Sequence, residues 1–315
     1  MTMFTRAPVD SDGKPAAPRR VRPLRKYSLP DIIFNSTMYL SVTVVTFLCM
    51  FPFLNTVANA FSSNTAIQSG LVVLWPVEFQ FDAMNTVLTD ETVIRSLFVT
   101  VFITIVGTAL NLLFTIITAY PLSRRDLKGR AYFMNYMIIT MLFSGGMIPS
   151  FLLVKELGLL DKLWALIIPS LISAFNVIIM KTFMQGLPDE LREAAIVDGC
   201  GNIKYLVRVV LPLSGASLAT IGLFYAVGHW NSYFSAVLYI ENPDLHTLQV
   251  KLRNILLLSQ MNTSIELLQI ENQLDVIKES LKSAVVVFAT APILIVYPFL
   301  QKYFVKGAML GSVKG

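Results

Sequence analysis

The chain has few charged residues and very few cysteines for its length. Asp, Glu, Lys and Arg make up 14% of its 315 residues, against about 25% in an ordinary soluble domain, while 55% of the residues are hydrophobic. This balance excludes a disordered chain and a soluble nucleic-acid-binding protein, although the net charge is +5. The two cysteines, Cys49 and Cys200, lie far apart in the sequence and indicate neither a disulfide framework nor a metal motif.

The signatures of catalysis are also missing. No Gly-rich loop ending in Gly-Lys-Ser/Thr occurs, so the chain has no nucleotide-hydrolysing loop of its own. The two histidines, His229 and His246, form no metal cluster or acid–base pair with carboxylates in the sequence, which argues against a membrane-embedded enzyme. We therefore expect no catalytic residues, no metal site and no cofactor bound by this chain.

What the chain has instead is long apolar runs. Six stretches lack Asp, Glu, Lys and Arg altogether: 32–77, 96–123, 131–154, 163–180, 209–240 and 283–301. A helix needs about 20 apolar residues to cross the hydrocarbon core, where backbone polar groups must be satisfied internally. The sequence therefore predicts an all-α polytopic membrane protein with six transmembrane helices, at about 32–56, 96–120, 131–154, 163–183, 209–239 and 283–301. Gly145, Gly146 and Pro149 interrupt the third, which indicates either a hinge or irregular backbone lining a cavity.

The basic residues between these runs predict the orientation in the membrane. Of the 25 Lys and Arg, 18 lie in the N-terminal segment, in the stretches 121–130 and 181–208 and in the C-terminal tail, and seven lie in the alternate loops. Because basic loops stay in the cytoplasm, both termini are expected there. The predicted organisation is a disordered basic N-terminus over 1–30, a six-helix domain over 31–305 and a cytoplasmic tail over 306–315.

One predicted cytoplasmic loop, 186–212, has structural signals of its own. Pro188 and the two acidic residues after it suit the start of a helix. Gly199 and Gly201 are expected to end that helix, and Asn202 is predicted as the N-cap of a second short one. Two short helices joined at a glycine bend form a rigid element, through which a soluble partner can act on the neighbouring spans.

The spacing of residues in this loop resembles a known motif. Glu193-Ala194-Ala195, three residues, Gly199, nine residues, Val209, one residue and Leu211-Pro212 is similar to the EAA loop of ABC importer permeases, with Val in place of Ile. The resemblance implies the type I permease fold of that family, in the cell membrane of a bacterium.

Further segments resemble the carbohydrate-importing branch of the same family. They are Phe143–Pro149, Leu157–Asp161, Ala226–Phe234 and the ending Gly311–Gly315. They look most like the maltose-type second permease, and within it like the subgroup that serves oligosaccharides from polysaccharides such as alginate or pectin. The resemblance covers roughly residues 30–315 and implies import of sugars.

The resemblance also implies partners and contact residues. The partners are a second homologous permease forming a heterodimer, two ATP-binding cassette ATPase subunits that hold ATP and Mg, an extracytoplasmic solute-binding protein, the sugar substrate and the lipid bilayer, but no nucleic acid. The residues expected to couple this chain to the ATPase are Glu193, Ala194, Ala195, Asp198, Gly199, Pro212, Lys314 and Gly315.

Polar side chains inside the runs indicate the kind of substrate. None of the six runs holds Asp or Glu, whereas ion-coupled carriers usually place an ionisable group near the middle of the membrane. An ion-coupled secondary carrier or channel for small polar solutes is therefore the less favoured alternative. Sugars need hydrogen-bonding groups and aromatic faces, and both a cavity wall and interhelical packing would explain such groups here. The candidates for the substrate path are Asn176, Tyr225, His229, Trp230, Asn231 and Tyr233.

Overall fold

The structure is a computed structural model that describes residues 29–266 and 279–312, with side chains described for 29–257 and 279–298. Within these ranges all regular structure is helical. The α-helices are α1 Leu29–Ala60, α2 Asn64–Gln68, α3 Asp82–Thr89, α4 Glu91–Ser123, α5 Arg130–Leu142, α6 Met147–Glu156, α7 Trp164–Ile167, α8 Ala174–Gln185, α9 Asp189–Val197, α10 Asn202–Tyr205, α11 Leu211–Leu213, α12 Gly215–Trp230, α13 Phe234–Tyr239, α14 Leu248–Glu266 and α15 Glu279–Ser312. Ile168–Ser170 and Pro243–Leu245 are 3-10 turns, and Leu206–Val210 is π-helical. Of the predicted features, most of the N-terminal segment and the tail residues Lys314 and Gly315 lie outside the described residues.

The chain divides after Pro52 into two compact units, residues 1–52 and residues 53–315. In the first unit the described residues form the first part of α1. Large apolar side chains there, such as Ile33, Phe34 and Leu48, are exposed. A helix that is apolar all round suits a lipid environment, which agrees with the prediction of a span in this region.

The helices fall into single spans and bent pairs. Three are long and apolar enough to cross a membrane, namely α1, α4 and the part Glu279–Pro298 of α15. Three pairs pass the same test together, namely α5 with α6, the α7 segment with α8, and the α10–α11 segment with α12, bent by 113°, 51° and 81°. The described residues thus contain three candidate spans, or up to six if each bent pair is one span. The predicted all-α membrane fold is confirmed, but the fourth and fifth spans are not the continuous helices predicted over 163–183 and 209–239.

Each bend has a local cause in the sequence. Gly146 has φ 86° and ψ 171°, a conformation that residues other than glycine scarcely adopt, and the predicted interruption of the third run is confirmed. Pro169 lies in the 3-10 turn before α8, where its missing N–H helps to end the helix. Pro212 lies between the π-helical segment and α12. At its far end α12 stops at Trp230, and the non-helical residues 231–233 separate it from α13.

Helix α4 has the most extensive packing in the second unit, because it lies against both α12 and α8. Apolar side chains form clusters along it. One contains Met180 and Ile221, another contains Ile103 and Ile167, and a third contains Leu248 and the buried face of α15. These contacts make α4 the physical link between the two sites described next.

Candidate functional site

Helix α9 lies within the loop that carries the EAA motif. It begins after Pro188, whose φ of −58° and ψ of 134° make it the N-cap. At the other end Gly199 has φ +71°, and its N–H donates to the carbonyl of Ile196 at 2.9 Å. The next N–H, of Cys200, donates to the carbonyl of Ala195 at 2.8 Å. This pair of bonds is a Schellman motif, which requires the left-handed backbone that glycine supplies, and the predicted end of the helix at Gly199 is confirmed.

The second short helix, α10, begins one residue earlier than predicted. Gly201, with φ −71° and ψ 165°, is its N-cap, and Asn202 is already its first helical residue. The prediction that Asn202 is the N-cap is wrong, because the extended residue before the first turn defines that position. The main-chain carbonyl of Asn202 instead accepts a hydrogen bond from the Tyr120 hydroxyl at 3.2 Å.

The residues predicted to couple to an ATPase differ in exposure. Five of them are exposed: Glu193, Ala194, Asp198, Gly199 and Pro212. Ala195 is 7% exposed and belongs to the apolar cluster around Met180. The small side chain of Ala195 thus seats α9 on the neighbouring helices, while the exposed residues remain open to a partner.

Polar contacts connect α9 and the end of α8 to the end of α4. Asp126 accepts hydrogen bonds from Arg192 at 3.1 Å and from Arg124 at 3.4 Å. The Gln185 amide donates to the carbonyl of Ser123 at 3.2 Å. Exposed ion pairs contribute only about 0–1 kcal/mol each to stability. Together they join α9 and the end of α8 to the residues at and just after the end of α4.

A pocket of about 420 Å³ opens beside these contacts. Its lining includes Tyr120, Arg125, Arg192 and Glu193. Among the residues that the structure describes, Glu193 has no ion-pair partner within 4.0 Å. Its carboxylate is therefore available to a donor from another molecule.

A second cavity lies where the break between α7 and α8 faces the end of α12. Its volume is about 650 Å³, and it is lined by residues of the segments 165–176 and 224–239. We name it the polar cleft. Serine hydroxyls, tyrosines, amides and phenylalanine rings contribute to the lining, and Asp, Glu, Lys and Arg do not. Within the described ranges no three His, Cys, Asp or Glu residues are placed to hold a metal ion. Such a lining suits a hydroxyl-rich ligand better than a bare ion.

The polar cleft brings together most of the residues predicted for the substrate path. Five of them line it: Asn176, Tyr225, His229, Asn231 and Tyr233. Trp230 does not, because successive residues of a helix point about 100° apart and its neighbour His229 faces the cleft. The Trp230 ring is buried against α15, and its Nε1–H donates to the carbonyl of Ala289 at 3.3 Å. Its assignment to the substrate path is therefore corrected to interhelical packing.

Behind the cleft, two sets of hydrogen bonds join α4, the α7–α8 break and α12. In the first, Asn111 is fully buried; its Oδ1 lies 2.8 Å from His229 Nε2, and its Nδ2 donates to the carbonyl of Ser170. In the second, the Tyr225 hydroxyl lies 2.8 Å from Thr115 Oγ1 and accepts a bond from the N–H of Ser173 at 3.2 Å. Main-chain groups released by the helix break are thus satisfied by side chains, as a bilayer requires.

The hydrogen bond between Asn111 and His229 is possible because α4 and α12 approach each other closely at Gly107. A Cβ atom built at Gly107 would lie 2.5 Å from Nε2 of His229 and 2.7 Å from its Cε1. The imidazole therefore occupies the space that a side chain at Gly107 would fill. The sequence analysis did not predict the roles of Gly107 and Thr115, or of the main-chain groups of Ser170 and Ser173. The available signal was the spacing of four residues between Asn111 and Thr115, which places both polar side chains on one face of a helix.

Residues 111–309 match the protein family described as "Binding-protein-dependent transport system inner membrane component". The chain belongs to this family. This permease is 43% identical over 283 residues to the polygalacturonan/rhamnogalacturonan transport system permease protein YtcP of Bacillus subtilis, a match that covers 90% of this chain and 99% of YtcP. It is 48% identical over 264 residues to the protein LplC of Bacillus subtilis, covering 84% and 89% of the two chains.

A solved structure agrees with these relatives. A chain in the crystal structure of a bacterial ABC transporter involved in the import of the acidic polysaccharide alginate superposes with a TM-score of 0.81 and 32% identity, covering 89% of this permease and 100% of that chain. The protein is thus a membrane-embedded permease subunit of a binding-protein-dependent ABC transporter and not an enzyme, and that prediction is confirmed.

Proposed function

We propose that this permease forms, with a second homologous permease, the path by which an ATP-driven importer moves oligosaccharides of acidic polysaccharides into the cell. The polar cleft is the observation that carries the proposal, because hydroxyl, amide and aromatic groups are those that bind sugars. Pectin- or alginate-derived oligosaccharides are the proposed substrates, which the name of YtcP and the alginate importer support.

The charge beside the cleft supports an acidic sugar. The guanidinium of Arg253 lies 4.7 Å from the centre of the Tyr233 ring and contacts its hydroxyl. Tyr233 itself lines the polar cleft. A guanidinium at this position can attract and pair with the carboxylate of a uronic acid, while the cleft itself stays uncharged.

Helix α9 is proposed to dock on one of two ATP-binding cassette subunits, which hold ATP and Mg. The exposed Glu193, the small Ala194 and the rigid bend at Gly199 support this role, because they present a fixed surface at the end of α4. On this proposal the α9 end faces the cytoplasm, and a solute-binding protein delivers the sugar from the opposite side.

The same proposal gives the arrangement of the whole chain. Residues 31–305 form the membrane domain, while residues 1–30 and 306–315 lie in the cytoplasm. Lys314 and Gly315 are proposed as further contacts to the ATPase. No cofactor is assigned to this chain itself.

A matched pair of glycine variants tests the coupling role. Gly199 and Gly201 are both exposed and both have open space around a built Cβ. Gly199→Val forces a β-branched residue to φ +71°, whereas Gly201→Val keeps an extended conformation that valine favours. In proteoliposomes with the second permease, the ATPase and the binding protein, we expect Gly199→Val to lose most sugar-stimulated ATP hydrolysis and Gly201→Val to retain it.

The opposite outcome is equally informative. Equal activity in both variants would remove the coupling role from the bend. Uptake of a small solute by this chain alone, without ATP and indifferent to the Gly199 variant, would favour the ion-coupled carrier instead. Oligogalacturonides, alginate fragments and neutral maltodextrins of equal length are the sugars to compare.

A further inference from the structure

The orientation of the Asn111 amide follows from its partners. The Ser170 main-chain carbonyl can only accept a hydrogen bond, so the amide nitrogen of Asn111 must be the group that faces it. The amide oxygen then faces His229 Nε2 at 2.8 Å. Because an amide oxygen only accepts, Nε2 of His229 must carry the proton.

This assignment determines what His229 offers to the cleft. A neutral imidazole that is protonated on Nε2 has its free lone pair on Nδ1, which is then an acceptor. The ring atoms nearest Gly107 are Nε2, Cε1 and Cδ2, so Nδ1 lies on the side away from α4. Among the described residues Nδ1 has no hydrogen-bond partner, and His229 lines the polar cleft.

The neighbouring Tyr225 differs because its hydroxyl is already occupied. It accepts a bond from the Ser173 N–H and shares a second with Thr115. In the wall formed by α12, His229 is therefore the buried side chain with an unused hydrogen-bonding atom. The His229 ring packs against Gly107 and Asn111 of α4. A rotation of the ring by 180° would break the bond to Asn111 and bring Nδ1 to the side of α4.

We propose that Nδ1 of His229 accepts a hydrogen bond from a hydroxyl group of the sugar in transit, and that Asn111 is the positioning residue that selects this tautomer. The proposal rests on the proposed function for its ligand, but its tautomer part needs no sugar. The site recognises hydroxyl donors, and the acidic group of the sugar is left to Arg253.

Histidine spectroscopy tests the positioning role directly. The importer complex is prepared with ¹⁵N-labelled histidine, and the His229 ring signals are those lost in His229→Gln. At neutral pH we expect Nε2 to carry the proton and Nδ1 to be unprotonated in the wild type, and Asn111→Leu to mix the two tautomers. A protonated Nδ1 in the wild type would overturn the assignment. If Asn111→Leu does not assemble, the wild-type spectrum decides alone.

Two replacements of His229 test the acceptor role. Gln places its amide nitrogen near the position of Nε2 and can keep the bond to Asn111, but leaves nothing at Nδ1. Asn places an amide oxygen near Nδ1 but does not reach Asn111. Loss of one hydrogen bond to the sugar should raise the KM for uptake about tenfold in His229→Gln, with the unfolding temperature of the complex nearly unchanged.

The outcomes separate this proposal from the proposed function. An unchanged KM in His229→Gln, together with an unstable His229→Asn, would give His229 a structural role and overturn the acceptor role. Absence of sugar uptake by the wild-type complex would overturn the proposed function, while the ring signals would still decide the role of Asn111.

Discussion

The carboxylate of Asp126 lies 3.1 Å from the guanidinium of Arg192, and this ion pair joins the connection between α4 and α5 to helix α9. Both side chains are partly or fully exposed, so the pair contributes little to the stability of the fold. We expect its consequence to be mechanical, because it joins α9 to the connection that follows α4.

Removing this ion pair should weaken coupling more than stability. Arg192→Gln is expected to lower sugar-stimulated ATP hydrolysis several-fold while changing the free energy of unfolding by less than about 1 kcal/mol. ATPase assays and thermal unfolding of the same complex measure the two effects. Lys128→Gln, on the same connection and also exposed, is the control for loss of one positive charge. Equal effects of both variants would show that the ion pair between Arg192 and Asp126 has no specific role in coupling.

The contact of Gly107 with His229 predicts a large cost for a single methyl group. Gly107→Ala places a Cβ 2.5 Å from Nε2, and such overpacking costs about 1–3 kcal/mol. Gly228→Ala, where a built Cβ meets nothing within 4 Å, should instead stabilise the α12 helix by about 0.5–1 kcal/mol. Unfolding temperatures of the two variants in detergent should therefore shift in opposite directions. An unchanged unfolding temperature in Gly107→Ala would show that the imidazole of His229 is not held in place.

We expect the Asp90 carboxylate, at the start of α4, to make a pH-dependent contribution to the stability of the fold. Its Oδ1 accepts hydrogen bonds from the N–H of Thr92 at 2.8 Å and that of Val93 at 3.3 Å. Burial alone would raise the pKa of Asp90, but the bonds from Thr92 and Val93 outweigh it, and the pKa is lowered. A lowered pKa stabilises the fold above the unfolded value of about 3.9, and that stabilisation is lost as the pH falls through the folded value.

Replacing Asp90, the N-cap of α4, tests whether its contribution to stability is lost on acidification. Asp90→Ala should cost about 1 kcal/mol at pH 7, and the difference from wild type should shrink below about pH 4, where the wild-type carboxylate becomes protonated. Asp90→Asn should recover part of the loss, because its amide oxygen still caps the helix. Thermal unfolding between pH 7 and the acid limit of the detergent sample measures this. A difference that grows on acidification would contradict the prediction.

Arg253 predicts discrimination between charged and neutral sugars. Arg253→Gln removes the positive charge next to Tyr233 while keeping a polar side chain, so we expect uptake of oligogalacturonides to fall about tenfold and uptake of neutral oligosaccharides to change little. Competition between the two sugars in one uptake assay gives the ratio. Arg95→Gln, which removes an exposed cation that pairs with Asp244, is the control. Equal losses for both sugars would assign Arg253 to the shape of the fold.

Much of the architecture could be predicted from the order of the residues. Long runs without charge can be stable in a bilayer only as helices, which made the all-α membrane fold predictable. The helix that ends at Gly199 was predictable for a local reason, because a left-handed residue is needed within a few positions of the last turn. The same local reasoning failed at Asn202, where a polar side chain was available but the extended backbone lies at Gly201.

The sites depended on contacts between distant parts of the chain. Hydropathy averaged over a run is blind to the 51° bend between the α7 segment and α8, and so to the polar cleft that this break helps to form. A polar residue within a span has the same composition signal whether it faces a cavity or a neighbouring helix; a rotation of about 100° per residue separates His229 from Trp230. The runs of apolar residues thus determined that the chain enters the membrane as helices. The packing of α4 against α12 and the α7–α8 break decided that Nε2 of His229 is satisfied by Asn111, and that its Nδ1 is left to a ligand.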